Sequence, residues 1–526
     1  MPLSPTQRSY LAAISANICI ACAWLTPGST LCALLGWLGA FLYVVFLHSS
    51  EKRYLPAFVG GMLLNLIGFY WLNDTIVLFG GFPPIIGALL FLLYAAASSL
   101  QFVVTVFLFQ RLPSAGLPRL ALAWTVSEFI TPRIFPWCLG HTQLAFSELA
   151  QIAELGGPLM ITFLVLWVAE ELYESCRSSR LKLSLCLALI ALSIACLFGM
   201  QRINTFTSAE ATSPSLKIAV LQANIIDIQE RDNVRYFSID TARYLEMSRK
   251  IAAPDTLIIW PESALMPDFR HGSLIPNFVS SVAESSELSK LPSDVPLLVG
   301  TVMIDRSRHF YNSALGIFPD GSIAAPYHKR ILMPFGEFTP LTSDTFPSTL
   351  LPKELRNWLR QVNASAGEFN AGSEAAVFSY PASIAQPSLG DVKVSPLICY
   401  EDVIPAPARE SVLKGAELLV NITNDTWFGN TVAPRQHHLI ASFRAIENRR
   451  YLVRSTNSGL TAVVNALGQT VSQLPPYSEG TLLAKVHLIS YKTIYTRFIG
   501  DRIWWGLTLV TLCMLVVSAC RGKKSA

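Results

Sequence analysis

Charged residues are what this chain has least of. Asp, Glu, Lys and Arg make up 14% of its 526 residues, against 52% hydrophobic ones, whereas soluble domains carry roughly 25% charged residues. The shortfall is local. Residues 10–200 are mostly apolar runs broken by short polar joints, a further run covers 503–519, and the stretch between them has the composition of a globular domain. That stretch is also almost free of cysteine. Cys399 is its one thiol, while Cys19, Cys22, Cys32, Cys138, Cys176, Cys186, Cys196, Cys513 and Cys520 lie in or beside the apolar segments. A lone cysteine excludes a disulfide framework there. With neither a CxxC pair nor an HExxH in the same stretch, no metal and no cofactor is expected. The net charge is only +4, and no basic stripe interleaves with aromatics, so nucleic acid is not an expected partner.

The apolar runs fall near 11–24, 31–47, 54–71, 84–109, 120–130, 149–169, 183–200 and 503–519. A helix needs roughly 20 residues to cross the hydrocarbon core, and these runs suggest about eight crossings, the first and fifth being short. Bases mark alternate joints: Lys52 and Arg53; Arg111 and Arg119; Arg177, Arg180 and Lys182; Arg521, Lys523 and Lys524. Among the intervening joints Arg133 is the exception. The positive-inside rule then puts both ends in the cytoplasm, which requires an even number of spans. The expected layout is a bundle over 1–201, an exported domain over 202–500, and a last span with a basic tail over 501–526. More spans follow the first, so it reads as a retained helix rather than a removed signal.

Within 202–500 the pattern alternates between strands and helices. Residues 216–225, 256–260, 296–304, 392–399 and 417–422 read as strands, and 233–251 and 436–450 as helices. Runs 311–319 and 322–327 flank Asp320-Gly321, a hairpin signal, and a second hairpin turns at 466–468. The mixture predicts an α/β sandwich with helices covering the sheets. Residues 338–390, rich in Pro, Ser, Thr and Ala with Phe338, Phe346, Leu350, Leu351 and Trp358 scattered through them, read as a long insertion, a lid or a surface loop.

Three segments bring an ionisable residue to the end of an apolar run: Trp260-Pro261-Glu262-Ser263, Tyr327-His328-Lys329-Arg330, and Leu397-Ile398-Cys399-Tyr400-Glu401-Asp402. Three adjacent bases usually form a solvated face, but this cluster runs into a Pro/Gly-bent apolar segment, which favours one base turning inward. Continued strand alternation places Glu401 on the side of Cys399 and Tyr400 opposite. A carboxylate, an amine and a thiol form a complete set for acyl transfer. Glu262 can take the thiol proton, because the thiolate is the nucleophile and a free thiol titrates at roughly 8.5. Lys329 and the backbone N–H of Tyr400 can stabilise an oxyanion.

Glu, Lys and Cys in this order, in the runs WPES, YHKRILMPFGEFTP and LICYED, resemble the nitrilase superfamily. The membrane frame, Met333-Pro334-Phe335-Gly336-Glu337, Leu221-Gln222-Ala223-Asn224, Asn424-Asp425-Thr426-Trp427-Phe428-Gly429, Arg444-Ala445-Ile446-Glu447-Asn448-Arg449 and Phe135-Pro136-Trp137 narrow the likeness to the apolipoprotein N-acyltransferase family. The resemblance implies a nitrilase-like αββα sandwich attached to a transmembrane α-helical bundle. It implies Glu262 as general base, Lys329 as charge-stabilising lysine and Cys399 as acylated nucleophile. Glu337 would orient Lys329, Glu401 would support the thiol or the incoming amine, and Tyr400 and Trp427 would stand near the pocket. His437 and His438 receive no role from it and read as structural. The implied reaction takes an acyl chain from a phospholipid, typically phosphatidylethanolamine, onto Cys399 as a thioester. The acyl group then passes to the free amine of a diacylglyceryl-cysteine at an apolipoprotein N-terminus. The implied setting is a bacterial inner membrane with the catalytic domain periplasmic, and the expected state is a monomer. A membrane-tethered amidase and a transporter with an exported domain are the competing readings. Transporters place ionisable groups inside their spans, and here Glu128 is the main candidate, with Glu170 and Glu171 at an edge.

Overall fold

The computed structural model describes residues 4–49, 53–78, 80–113, 116–178, 182–226, 228–231, 234–237, 241–265, 294–305, 307–340, 342, 348–362, 369–385 and 390–524. The N-terminal part is helical: α1 (Pro5–Leu25), α2 (Thr30–Ser49), α3 (Tyr54–Gly68), α4 (Trp71–Leu78), α5 (Pro84–Arg111), α6 (Arg119–Ile130), the short α7 (Ser147–Ala150) and α8 (Ala153–Gly156), then α9 (Pro158–Ser178) and α10 (Leu183–Thr212). Small residues let the first three pack closely. A Cβ at Gly39 would meet Ile20 at 2.6 Å, and one at Gly60 would meet Asn17 at 2.6 Å.

Among the described residues, α1, α2, α5 and α10 are long and apolar enough to cross a membrane. Two bent pairs, α3 with α4 at 63° and α7–α8 with α9 at 119°, bring the number to six if each is one span. The expected run 149–169 is therefore not one straight helix. Gly157 takes φ 70° and Pro158 opens α9, so the hydrogen-bond ladder stops between them. The expected fifth span, α6, has 12 residues, and in the last helix, Arg502–Lys524, the apolar stretch among the described residues is Arg502–Ser518. Length and composition thus support four to six spans and do not establish eight.

The remainder folds as two six-stranded sheets. The first has β1 (Ser215–Gln222), β4 (Thr256–Ile259), β5 (Leu297–Ile304), β6 (Phe310–Ile317), β7 (Tyr327–His328) and β14 (Gly480–His487), in the order β14-β1-β4-β5-β6-β7. The second has β8 (Phe378–Tyr380), β9 (Val392–Ile398), β10 (Leu418–Thr423), β11 (Tyr451–Thr456), β12 (Ala462–Val464) and β13 (Thr470–Gln473), in chain order across the sheet. Both sheets carry the same succession of one antiparallel, two parallel and two antiparallel pairings. Alternation decides the layers. Ile218, Val220, Leu257 and Ile259 face Val394, Ile398, Val420, Ile422 and Val453 between the sheets. Ala219, Leu221 and Ile258 pack outward under helix α11 (Thr241–Arg249), and Leu397, Leu419 and Leu452 under the helices Pro405–Leu413 and Ala433–Asn448. The result is the expected αββα sandwich.

Two local expectations change. The helix foreseen over 233–251 begins at Thr241, because Val234–Phe237 is a strand (β3) paired with β2 (Ile228–Arg231); its V-R-Y-F run suits a pleated strand better than a helical turn. The stretch 338–390 also holds regular structure, namely the helix Lys353–Val362 and edge strand β8. Phe346 lies outside the described residues.

Sandwich and bundle share a core. Tyr400, Val403, Leu439, Ile440 and Phe443 are buried in one cluster with side chains of α1, α2, α6 and α9. Polar contacts reinforce the seam. Gln436 Nε2 donates to the carbonyls of Trp24 and Gly68, both at 2.8 Å, and Trp71 Nε1 donates to Gln436 Oε1 at 2.9 Å. Arg449, fully buried, donates to Glu154 Oε2 from Nε (2.9 Å) and Nη2 (2.7 Å), and Arg202 meets the other oxygen at 3.0 Å. Breaking a buried ion pair leaves a stranded charge. Arg449→Met is expected to destabilise the protein by about 3 kcal/mol, the low end of such losses because Arg202 still pairs with Glu154. A thermal melt in detergent micelles checks this, and an unshifted midpoint would show that the pair contributes nothing.

Candidate active site

Parallel strands deliver functional groups at their carboxyl ends, and here β4, β9 and β10 end side by side. β4 runs into Trp260, whose Nε1 donates to Ser248 Oγ at 2.9 Å beneath α11. The chain then turns at Pro261-Glu262 against Gly300 of β5. A Cβ at Gly300 would come within 2.3 Å of the Pro261 carbonyl and 2.7 Å of Glu262 Cα, so only glycine allows this approach. Glu262 is buried. Its Oε1 accepts from Asn312 Nδ2 at 2.6 Å, and its Oε2 accepts from the Asn424 N–H, just past β10, at 2.9 Å.

Lys329 follows β7 and is 1% exposed, the inward-turning base among the three. His328 bonds Ser313 Oγ through Nδ1 at 2.8 Å, and Arg330 pairs with Glu410 on the helix behind. Lys329 Nζ lies 2.7 Å from Glu337 Oε2 and 3.8 Å from Glu262 Oε1. Asn312 Nδ2 also reaches Glu337 Oε1 at 2.9 Å, so one amide nitrogen serves both carboxylates. Burial pulls the lysine's pKa down, but Glu337, Cys399 and Glu262 outweigh it and hold the pKa above its ordinary value. Burial pushes Glu262 up; Lys329 opposes that shift and Glu337 adds to it.

Cys399 sits where β9 ends, at φ 49°, a left-handed conformation unusual for a side chain of this kind. Its carbonyl accepts from Asn421 Nδ2 at 3.0 Å. Burial raises the thiol's pKa, Glu262 and Glu337 raise it further, and Lys329 and Thr423 lower it. At neutral pH it is therefore a thiol within electrostatic reach of Glu262, Lys329 and Glu337. The structure brings these four residues together as expected.

The positions beyond Cys399 differ from the alternation expected for them. β9 stops at Ile398, and Cys399–Val403 is a 3-10 turn, so the period of two no longer applies. Glu401, fully buried, accepts from Tyr327 Oη at 2.7 Å and from the N–H groups of Arg330 (2.7 Å), Ile331 (3.2 Å) and Ile398 (2.8 Å). Its bonds tie the Lys329 segment to the turn that opens at Cys399 rather than reach the thiol. The Tyr400 hydroxyl donates to the Ile134 carbonyl, and its ring meets Phe135 edge-on at 6.5 Å. Trp427, on the turn Asp425–Phe428, stands at the rim with 36% exposure, its carbonyl accepting from Thr75 Oγ1 of α4 at 3.2 Å.

The sequence reading missed Asn312, Asp402, Asp425 and Arg454. Asn312 carried the best signal, a polar side chain inside the apolar strand β6. His437 bridges Asp402 and Asp425. His438 bonds Thr470 Oγ1 through Nε2 at 2.7 Å, and burial first, then Arg454 and His437, lower its pKa to about 3. Among the described residues no group of three or more His, Cys, Asp or Glu is arranged to hold a metal ion.

Comparison with known proteins fits this geometry. Residues 217–494 match the carbon-nitrogen hydrolase family, the class that the two-sheet domain and its site define. Residues 18–170 match the apolipoprotein N-acyltransferase N-terminal domain. An apolipoprotein N-acyltransferase of Bdellovibrio bacteriovorus is 31% identical over 84% of this chain and 81% of its own. One from Geobacter metallireducens is 28% identical over 95% and 93%. The chain belongs to the apolipoprotein N-acyltransferase family. Among solved structures, an amidase from Nesterenkonia sp. aligns with a TM-score of 0.35 at 18% identity over 55% of this chain and 96% of its own, a likeness too slight to bear on the site.

Glu401→Ala strands a buried phenol and three N–H groups, each unsatisfied group costing about 1–3 kcal/mol. A melting point lowered by several degrees is expected in detergent. A variant that melts like the parent would instead favour a purely chemical role for Glu401.

Proposed function

We propose that this protein moves an acyl chain from a membrane phospholipid to the N-terminal amine of a diacylated lipoprotein through a thioester on Cys399. The observation that carries the reading is the seam at the nucleophile. The residue after Cys399 is bonded to the helical bundle through Ile134, so the thiol stands where sandwich meets apolar helices. Lipid substrates require that placement, and an amidase acting on small dissolved amides does not.

In the first half-reaction Glu262 takes the thiol proton as sulfur attacks the donor's ester carbonyl. Lys329 and the Tyr400 N–H stabilise the oxyanion. The carbon–oxygen bond then breaks, Glu262 returns the proton to the departing alkoxide, and a lysophospholipid leaves. In the second half-reaction the lipoprotein amine attacks the thioester, Glu262 removes its proton, and the thiol is restored as the amide forms. Glu337 holds Lys329, Glu401 holds the turn, and Trp427 borders the acyl path. Leu350 and Trp358, exposed apolar side chains in the stretch expected to form a lid, cover the chains. We place the helical bundle at 1–201, the catalytic domain at 202–500 and the final span at 501–526. The assigned setting is the bacterial inner membrane, with both ends cytoplasmic and the sandwich periplasmic. Phosphatidylethanolamine is the assigned donor, and the protein works as a monomer.

Incubating the purified protein with phosphatidylethanolamine should add one acyl mass, located at Cys399, and Cys399→Ala should abolish it. Added diacylated lipopeptide should then discharge the adduct with formation of an amide. No adduct, or an adduct released only to water, would sink the proposal, the latter in favour of an amidase. Because burial and Glu337 raise Glu262, adduct formation should fall as pH drops through a value above the ordinary 4.5. Asn312→Ala, which removes the shared donor, should move that limb up by about one pH unit.

A further inference from the structure

Behind the thiol lies a second buried group of charges that the proposed chemistry does not use. His437, on the helix Ala433–Asn448, has Nε2 at 2.7 Å from Asp402 Oδ1 and Nδ1 at 3.2 Å from Asp425 Oδ1. Arg454 of β11 closes the figure, its Nε 3.2 Å from Asp402 Oδ2 and its Nη2 3.7 Å from Asp425 Oδ2. Asp402, Asp425 and Arg454 have no exposed side-chain surface, and His437 has 5%. Two anions and two cations therefore alternate around a closed ring. An imidazole with a carboxylate at each nitrogen donates from both, so His437 is an imidazolium. Burial lowers its pKa, but Asp402 raises it more, with Asp425 adding to that and Arg454 opposing, so the value ends above the ordinary one. His438, its neighbour on the same helix, is neutral.

The ring joins the two turns that must face each other. Asp402 belongs to the turn Cys399–Val403, which begins at the thiol. Asp425 follows Asn424, whose N–H holds Glu262 Oε2. Gly459 packs on Asp425 so closely that a Cβ there would lie 2.5 Å from Asp425 Cβ, which leaves the aspartate no room to swing away.

We propose that His437 is a positioning residue whose imidazolium locks the nucleophile's turn to the turn that holds Glu262, so that the Cys399 thiol stays aimed at its base and shielded from unbalanced charge. This builds on the roles of Cys399 and Glu262 in the reading above, but its readout does not depend on acyl transfer.

The test is the pH dependence of iodoacetamide alkylation at Cys399, resolved from the other cysteines by peptide mass, in the full-length protein in detergent. His437→Gln leaves two carboxylates against one guanidinium, a net negative charge behind the thiol. Alkylation at neutral pH should fall about tenfold, the effect of a one-unit rise in thiol pKa. Asp402→Asn combined with His437→Gln restores neutrality to the ring and should recover most of the loss. An unaltered rate in His437→Gln overturns the proposal. So does a loss that the double variant fails to recover, whether the single variant folds or not, because packing alone would then account for it. Failure of the acyltransferase reading has a separate sign: the parent protein would form no acyl adduct, whatever the alkylation series gives.

Discussion

Lys329 is a buried ammonium that must be compensated inside a site nearly closed to water. An uncompensated charge there costs several kcal/mol, so Glu337 at 2.7 Å is a condition for placing the lysine at all. That carboxylate brings its own problem, because Glu262 lies near the same ammonium. Two anions and one cation leave the site with a net negative charge. Asn312 makes this tolerable by giving each carboxylate a hydrogen bond from its amide nitrogen. The thiol is set by the same balance. Ionising Cys399 in place would add a second unbalanced charge, whereas passing its proton to Glu262 moves charge without adding any. Reactive cysteines elsewhere often rest as thiolates next to a cation or a helix N-terminus. Here burial and the nearby carboxylates favour the neutral thiol, and on the proposed chemistry its activation is coupled to Glu262.

The geometry that keeps this balance comes from turns rather than strands. Cys399 leaves β9 at φ 49° and enters a 3-10 turn, and Glu401 then satisfies the N–H groups that the irregular Arg330–Ile331 stretch exposes. One carboxylate thereby fixes both the lysine's segment and the nucleophile's turn. The charged ring at Asp402 fixes the same turn on its other side. The turn at Cys399 is held by Asn421 at its first carbonyl, by Glu401, by Asp402 and, through Tyr400, by the bundle.

What the sequence made readable follows from this division. Strands such as 216–222 and 418–423 were visible as short apolar runs rich in Val, Ile and Leu, the pattern of strands buried on both faces. The triad was visible because each member follows an apolar run. Glu401 was misplaced because the alternation of β9 was carried past Ile398, where the period changes to about three, and nothing in Cys-Tyr-Glu-Asp announces that change. Asn312 was passed over as one polar residue in a strand. The ring of charges was invisible for another reason. Asp402, Asp425, His437 and Arg454 lie on four separate elements, and no spacing along the chain links them. The bends at Gly157-Pro158 and after Gly68 were hidden by hydropathy that continues across them, while the runs that leave eight spans unestablished are the 12-residue helix α6 and the last helix.

The seam with the bundle does more than anchor the site. Phe135 meets Trp71 at 5.1 Å, Phe428 at 6.4 Å and Tyr400 at 6.5 Å, so aromatic rings from both halves close around one side of the nucleophile's turn. Such a wall lowers the local dielectric and strengthens every charge interaction described above. It also bears on which acceptor discharges a thioester. Water and an amine compete for the same carbonyl, and a free amine is the better nucleophile of the two. Restricting water at the bundle side widens that advantage without demanding a dedicated water-excluding residue. On the proposed chemistry, the balance between hydrolysis and transfer depends on what surrounds Glu262, Lys329 and Cys399, and here apolar helices pack onto Tyr400, the residue next to the thiol.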